Sequence, residues 1–187
     1  MRATDLPLYY NAVDILERNL VKRADKVGLY SADRNMTFQE VANEVNQVGN
    51  ALKKLDVRIG DFVAILSLDV PEWVTSFFGI VKIGGISVGM NTLLKPHEYE
   101  YILRDSRARV LIVHQALLPS IQEIRDKLEF LEHVIVIGQP DHEGDKAYTD
   151  WISSESTKLK AAPTHRDDFC SLNYSSCVVT CYISTCS

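Results

Sequence analysis

The chain has 187 residues, 46% hydrophobic and 24% charged, the balance of an ordinary globular domain with enough apolar material for a real core. Its formal net charge of −5 comes from acids and bases mixed along the sequence, without the basic stripe that holds a phosphate backbone, so nucleic acid is not an expected partner. The opening MRATDLPLYYN lacks the apolar run of a secretory signal, and the most hydrophobic stretch, Trp73 to Met90, is broken by Lys82 and Gly84-Gly85; the expectation is a soluble, cytoplasmic protein with no membrane span.

In chain order, Asn11 and Asp14 have capping-box spacing ahead of Val13, Leu16, Leu20, Val21 and Ala24, which predicts a helix over about 12–24. Val27 to Ser31 and Met36 to Phe38 read as short strands around a polar turn. Thr37 and Glu40 repeat the capping device before the apolar stripe Phe38, Val41, Ala42, Val45, Val48, Leu52 and Leu55, a longer helix. FVAILSL after Gly60 is apolar on both alternating faces, as a strand covered on both sides must be.

Asp69, Pro71 and Glu72 then open a helix over Trp73 to Lys82, closed by Gly84-Gly85 before the strand ISVGM. A helix from Pro96 to Arg104, a turn at Asp105-Ser106 and the strand RVLIVH follow. Leu117, Leu118, Ile121, Ile124 and Leu128 mark a further helix, and HVIVIG a further strand. Gln139 to Asp168 turns polar, a surface excursion with a short helix around Tyr148 to Ser153, and leads to a last strand, FCSLNY. This alternation predicts an α/β fold, a doubly wound, mostly parallel sheet with flanking helices, whose ligand site lies beyond the carboxyl ends of the strands.

Few residues announce chemistry by themselves. Cys177, Cys181 and Cys186 crowd the carboxyl terminus, but no histidine or acid lies among them and a zinc cage needs four spaced ligands, so no metal ligands are assigned. A disulfide framework is not expected in a chain of this size and character. His97, His114 and His133 fall at helix or strand ends and read as boundary residues. Trp73, Phe77 and Phe78, at helical spacing, read as core in preference to an aryl pocket. Gly84-Gly85 ends a helix and is no dinucleotide fingerprint. No serine, histidine and acid constellation emerges, and no catalytic residue is assigned.

The order of segments resembles the adenylate-forming (AMP-binding) acyl-CoA synthetases, in particular the benzoate-CoA ligase branch. The carrying residues are the run from Thr37 to Val113, including the Lys82-to-Gly85 turn, NTLL at Asn91 to Leu94 and DSRARVLIV at Asp105 to Val113. The likeness runs from about Asn11 to Ser176 and is thinnest between Gln139 and Thr164. In that family the strand equivalent to FCSLNY leads, after two serine or threonine residues, into a Gly-Thr-Thr-Gly-x-Pro-Lys-Gly loop that holds phosphates. Tyr174, Ser175 and Ser176 stand where that cofactor-binding loop starts. Cys177, Val178, Val179 and Thr180 follow, with neither the glycines nor the lysine; β-branched residues resist the positive φ that such a cradle needs.

The resemblance implies that 1–176 is the amino-terminal portion of an AMP-dependent ligase domain and 177–187 an aberrant, cysteine-containing tail produced by a shifted reading frame or gene boundary. It implies a parent reaction in which a carboxylic acid, aromatic and benzoate-like, reacts with ATP to an acyl-adenylate that is passed to CoA. ATP, Mg2+ and CoA are the parent family's cofactors, none of them expected on this chain, and the chain alone is expected to be inactive. The alternative is a non-enzymatic α/β binding or interaction module derived from a ligase. A sheet ending on FCSLNY is further expected to leave an unpaired edge and an apolar face made by Phe169 and Leu172.

Overall fold

The computed structural model describes residues 5–32 and 34–174 and the backbone of 182–185. A small antiparallel ribbon joins β1 (Val27–Leu29) to β2 (Met36–Thr37). The main sheet is built from β3 (Phe62–Leu66), β4 (Ile86–Gly89), β5 (Val110–His114), β6 (His133–Ile137), β7 (Lys146–Ala147), β8 (Phe169–Asn173) and β9 (Tyr182–Thr185). Their spatial order is β7-β6-β5-β3-β4-β8-β9, parallel throughout except for the β8–β9 pair.

Both faces of this sheet are covered, which is why its central strands read as unbroken apolar runs. Alternate residues serve different layers. Ala64, Leu66, Leu111, Val113, Val134 and Val136 pack under α5 (Pro96–Ser106) and α6 (Leu118–Gln122). Val63, Ile65, Val110, Ile112, Ile135 and Ile137 pack under α3 (Phe38–Lys54), α4 (Pro71–Lys82) and α7 (Tyr148–Ser153). The chain steps from β3 to β4 through α4 on one face and from β5 to β6 through α6 on the other. This is the doubly wound arrangement expected from the sequence.

The predicted capping box of α3 is present: the Thr37 hydroxyl accepts from the Glu40 N–H at 3.2 Å and the Thr37 N–H donates to Glu40 Oε2 at 2.7 Å. That backbone donor holds the Glu40 carboxyl below its ordinary range. α3 and α4 cross through facing glycines, Gly49 and Gly79, where a Cβ on Gly79 would lie 2.6 Å from Val48 Cγ1. Gly84, at φ +81°, closes α4 in a conformation open to glycine and leads the chain into β4.

Two polar groups are buried between the helices. The ammonium of Lys82, 2% exposed, is bonded to Glu17 and Asn46 and so ties the amino-terminal segment to α3. Glu44 on α3 accepts from Arg34 at 3.0 Å, from Thr75 at 2.9 Å and from the Tyr148 hydroxyl at 3.3 Å. Burial, and next the Glu44 charge, push the Tyr148 hydroxyl well above its usual pKa. Tyr148 opens α7, so the stretch expected to be a surface excursion contributes one of the largest buried side chains.

Several local expectations are corrected. The helix over 12–24 is instead two single turns, α1 (Asp14–Glu17) and α2 (Leu20–Arg23). Asn19 sits between them and its amide donates to the carbonyls of Ile15 and Leu16, competing with the helical pattern. Asn11 makes only half of the expected device: its Oδ1 accepts from the Val13 N–H at 3.0 Å, while its amide reaches across the fold to the carbonyls of Val81 and Lys82. Asp105-Ser106 belongs to α5, which closes only at Arg107 in the left-handed region. The helix marked by Leu117 to Leu128 is short, and Arg125 leaves it to pair with the nearly buried carboxylate of Asp145 at 2.9 Å.

At the sheet edge, Leu172 is buried but Phe169 is 47% exposed, because residues three apart on a strand point to opposite faces. The outer side of β8 is paired by β9, in place of the open edge expected. Cys170 on β8 is disulfide-bonded, which the sequence reading did not anticipate. Among the described residues no helix is long and apolar enough to cross a membrane. Cys177, Cys181 and Cys186, and all side chains of the 177–187 tail, lie outside the described residues.

Candidate functional site

The topological switch places the exits of β3, β4, β5 and β8 along one rim, and the exits of β4 and β8, which are sheet neighbours, meet α5 there. The loop after β4 is stiffened locally. Asn91 Oδ1 accepts from the Leu93 N–H at 2.9 Å, the Tyr99 hydroxyl donates to the Asn91 carbonyl at 3.0 Å, and the Met90 N–H donates to Ile65 of β3. Burial raises the Tyr99 hydroxyl pKa, so this donor stays protonated. Pro96 then starts α5 at its first position, as its fixed φ favours.

Between this loop, α5 and the end of β8 lies a cleft of about 620 Å³ lined by Asn91, Leu94, His97, Glu98, Tyr101, Ile102 and Tyr174. Tyr174 is the first residue beyond the β8 ladder. Its hydroxyl donates to Asp105 Oδ2 at 2.7 Å, and its ring meets Tyr101 edge-on, with centroids 6.3 Å apart at 86°. The lining is mostly aromatic and aliphatic with a few polar tips, the make-up of a small-molecule pocket.

The sequence-derived site residues are only partly placed. Tyr174 lines the cleft, while Ser175 and Ser176 lie outside the described residues. Trp73 and Phe77, read as core, stack on each other at 5.6 Å and are half-buried against the α3–α4 layer, away from the cleft. His97, read as a boundary residue, does line the cleft; His114 accepts from the Ala116 N–H through its own Nδ1. Burial lowers the pKa of His133, at the opposite end of its strand. Sequence reasoning missed Tyr101 and Asp105. The available signal was the spacing of His97, Tyr101 and Asp105, four residues apart on one face of α5.

The described residues do not fit a magnesium nucleotide. The cleft lining carries no lysine or arginine to meet phosphate charge, and no three His, Cys, Asp or Glu residues gather as metal ligands among the described residues. Among the described residues that line the cleft there is no serine, threonine, cysteine or lysine to act as a nucleophile. What the arrangement offers is an apolar wall, a fixed backbone turn after β4 and an anchored exit from β8.

Comparison with known proteins agrees with this fold. The family described as AMP-binding enzyme matches residues 16–177. The benzoate–CoA ligase of Thauera aromatica is 37% identical over 177 residues, covering 93% of this chain and 33% of that protein. The 3-hydroxybenzoate–CoA ligase of Aromatoleum sp. (strain CIB) is 32% identical over 153 residues, 82% of this chain and 29% of that protein. Among solved structures, the anthranilate CoA ligase AuaEII in complex with anthranoyl-AMP superposes with a TM-score of 0.94 and 64% identity, over 97% of this chain and 35% of that one. A benzoate CoA ligase from Burkholderia xenovorans LB400 gives 0.78 and 27%, over 87% and 32%. The chain spans about a third of the length of these relatives. With a family match over most of its residues and a shared fold, the chain belongs to the AMP-binding enzyme family.

Proposed function

We propose that the chain is the amino-terminal portion of an aromatic acid–CoA ligase. In the whole protein the acid's carboxylate attacks the α-phosphate of ATP, giving an aryl-adenylate and pyrophosphate, and the CoA thiol then displaces AMP. The observation that carries this reading is the 64% identity to a ligase whose structure holds anthranoyl-AMP, an aryl-adenylate. Anthranilate is therefore the first acid to test and benzoate the second.

In this reading, Tyr174, Ser175 and Ser176 open the phosphate-binding loop, with the two serines offering hydroxyl and backbone N–H donors to the nucleotide. Cys177, Val178, Val179 and Thr180 replace the glycines that let backbone donors surround a triphosphate, so the 187-residue chain alone does not assemble the reaction. The parent's ATP, Mg2+ and CoA are not held by this chain, and its place is a soluble, cytoplasmic enzyme. The family match stops at 177, where the departure begins.

Reading the nucleotide sequence past the codon for Ser176 in all three frames tests this directly. One frame is expected to restore a glycine-rich loop with its lysine and roughly the remaining two-thirds of the relatives' length. If no frame encodes them, 177–187 is a genuine ending and the stand-alone module is the better account.

A further inference from the structure

The opposite end of the sheet carries a second cavity. Three segments line it shortly before they become strands: 57–59 leads into β3, Ile83 into β4 and 160–163 towards β8. They enclose about 420 Å³, within the usual range for small-molecule pockets. Val57 and Ile83 are buried, whereas Ile59 stays 57% exposed, and the stretch 161–163 adds two alanines and a proline. Lys53, Arg58 and Lys160 complete the lining, which contains no acid.

The walls are held from outside the cavity, so its shape is set before any ligand arrives. Asn46 and Asn50 of α3 donate to the carbonyls of Thr157 and Ser156 at 2.7 and 2.8 Å, and the Ala162 N–H donates to the Lys82 carbonyl at 2.8 Å. On the other side, Asp61 accepts from the Arg58 N–H at 2.8 Å, and the Gly60 N–H donates to the Gly84 carbonyl at 2.9 Å. The cations are only partly engaged by the protein. Arg58 gives Nε and one terminal nitrogen to Asp56, which leaves further donors on its fork. Lys53 and Lys160 have no ion-pair partner among the described residues.

A wholly polar anion would meet these charges but leave the apolar lining in water. A neutral apolar molecule would cover that lining but gain nothing from the charges. An anion with an apolar body satisfies both. We propose that this cavity binds a small carboxylate whose body is one or two rings, or an alkyl chain of similar volume, with its carboxylate among Lys53, Arg58 and Lys160. The site is separate from the cleft beyond the strand exits and does not depend on the ligase reading.

The test uses the intact 187-residue chain, labelled with 15N and titrated with sodium 2-naphthoate, an aryl carboxylate, and sodium octanoate, an alkyl one. At least one is expected to move the amide signals of 57–59, Ile83 and 160–162 saturably, with a Kd of about 1 mM or below that rises with added NaCl. The tighter of the two tells an aryl from an alkyl ligand, and either supports the site. 2-Naphthamide, which lacks the charge, and inorganic phosphate, which lacks the apolar body, should bind there at least about tenfold more weakly. Lys53→Gln and Lys160→Gln, at exposed positions, should each weaken binding about threefold and leave the melting temperature unchanged. Ile59→Ser should weaken it through lost apolar contact. The cleft is read separately from the amides of Asn91, Tyr101 and Tyr174. No saturable shift at 57–59 and 160–162, shifts confined to the cleft residues, equal binding of 2-naphthamide or phosphate, or an unchanged Kd when Lys53→Gln and Lys160→Gln are combined would overturn the proposal.

Discussion

Replacing Glu17 by alanine is expected to lower the stability of the chain by about 2–3 kcal/mol, a large share of what a domain of this size possesses. Lys82 is 2% exposed, and its ammonium is held by Glu17 and Asn46. Removing the carboxylate strands a buried positive charge with a single neutral partner, and the desolvation already incurred is no longer offset. The loss falls below the figure for fully buried pairs because the Glu17 side chain is 34% exposed and solvent screens part of the attraction. Lys82→Met should cost far less, about 1 kcal/mol or under, since an apolar chain of similar length fills the same channel and Glu17 can hydrate. Urea unfolding of the two variants decides the matter. Equal losses would show that the site matters through packing and not through charge.

The second large effect is expected at the crossing of α3 and α4. A Cβ at Gly79 would meet Val48 Cγ1 at 2.6 Å and Val48 Cβ at 2.8 Å, and Val48 is fully buried with a stiff, branched side chain anchored on the opposing helix. Gly79→Ala is therefore expected to cost about 2 kcal/mol, the overpacking penalty outweighing the helix-propensity gain of about 1 kcal/mol from replacing glycine. Gly49→Ala makes the contrast. Its shortest contact, 2.4 Å, is to Leu159 Cδ2, the far end of a flexible side chain on an irregular segment, which can turn aside. That variant should be near neutral. If both alanines destabilise equally, the crossing distance is not what these glycines protect.

The parts of this fold legible in the sequence are those where one local signal had no competitor. β3 is apolar at every position, β5 and β6 at all but a terminal histidine each, and all three lie between two helical layers, so the length of the apolar run sufficed to place them. α3 carries both a capping box and an uninterrupted apolar stripe. The errors came where a side chain answers to a distant partner. Asn11 accepts the Val13 N–H as a cap would, but its amide is committed to carbonyls 70 and 71 residues away, and Tyr148 sits in a polar stretch but is drawn inward by Glu44 and Thr75.

The candidate site was legible to a lesser degree, for the same reason. Tyr174 was singled out because it stands where the phosphate-binding loop of the resembled family starts, and it lines the cleft. Its bond to Asp105 was not foreseen, since Asp105 is 69 residues earlier and reads as a turn residue after a helix. The rule that ligands gather beyond the carboxyl ends of a doubly wound sheet located the rim; which helix supports it depends on β4 and β8 being neighbours, a pairing that strand periodicity cannot reveal. The α5 face His97, Tyr101 and Asp105 is mixed in character and has no hydrophobic signature to mark it.

Under the proposed function, this chain is part of an aromatic acid–CoA ligase whose phosphate-binding loop departs from the family pattern after Ser176. The most direct measurement is ATP–pyrophosphate exchange by the purified 187-residue chain with anthranilate or benzoate present. No acid-dependent exchange above background is expected, because the described cleft lining carries no lysine or arginine and the sequence from Cys177 to Thr180 lacks the glycines and lysine of the family loop. Acid-dependent exchange that co-purifies with the chain and disappears on replacing Ser175 and Ser176 by alanine would contradict it.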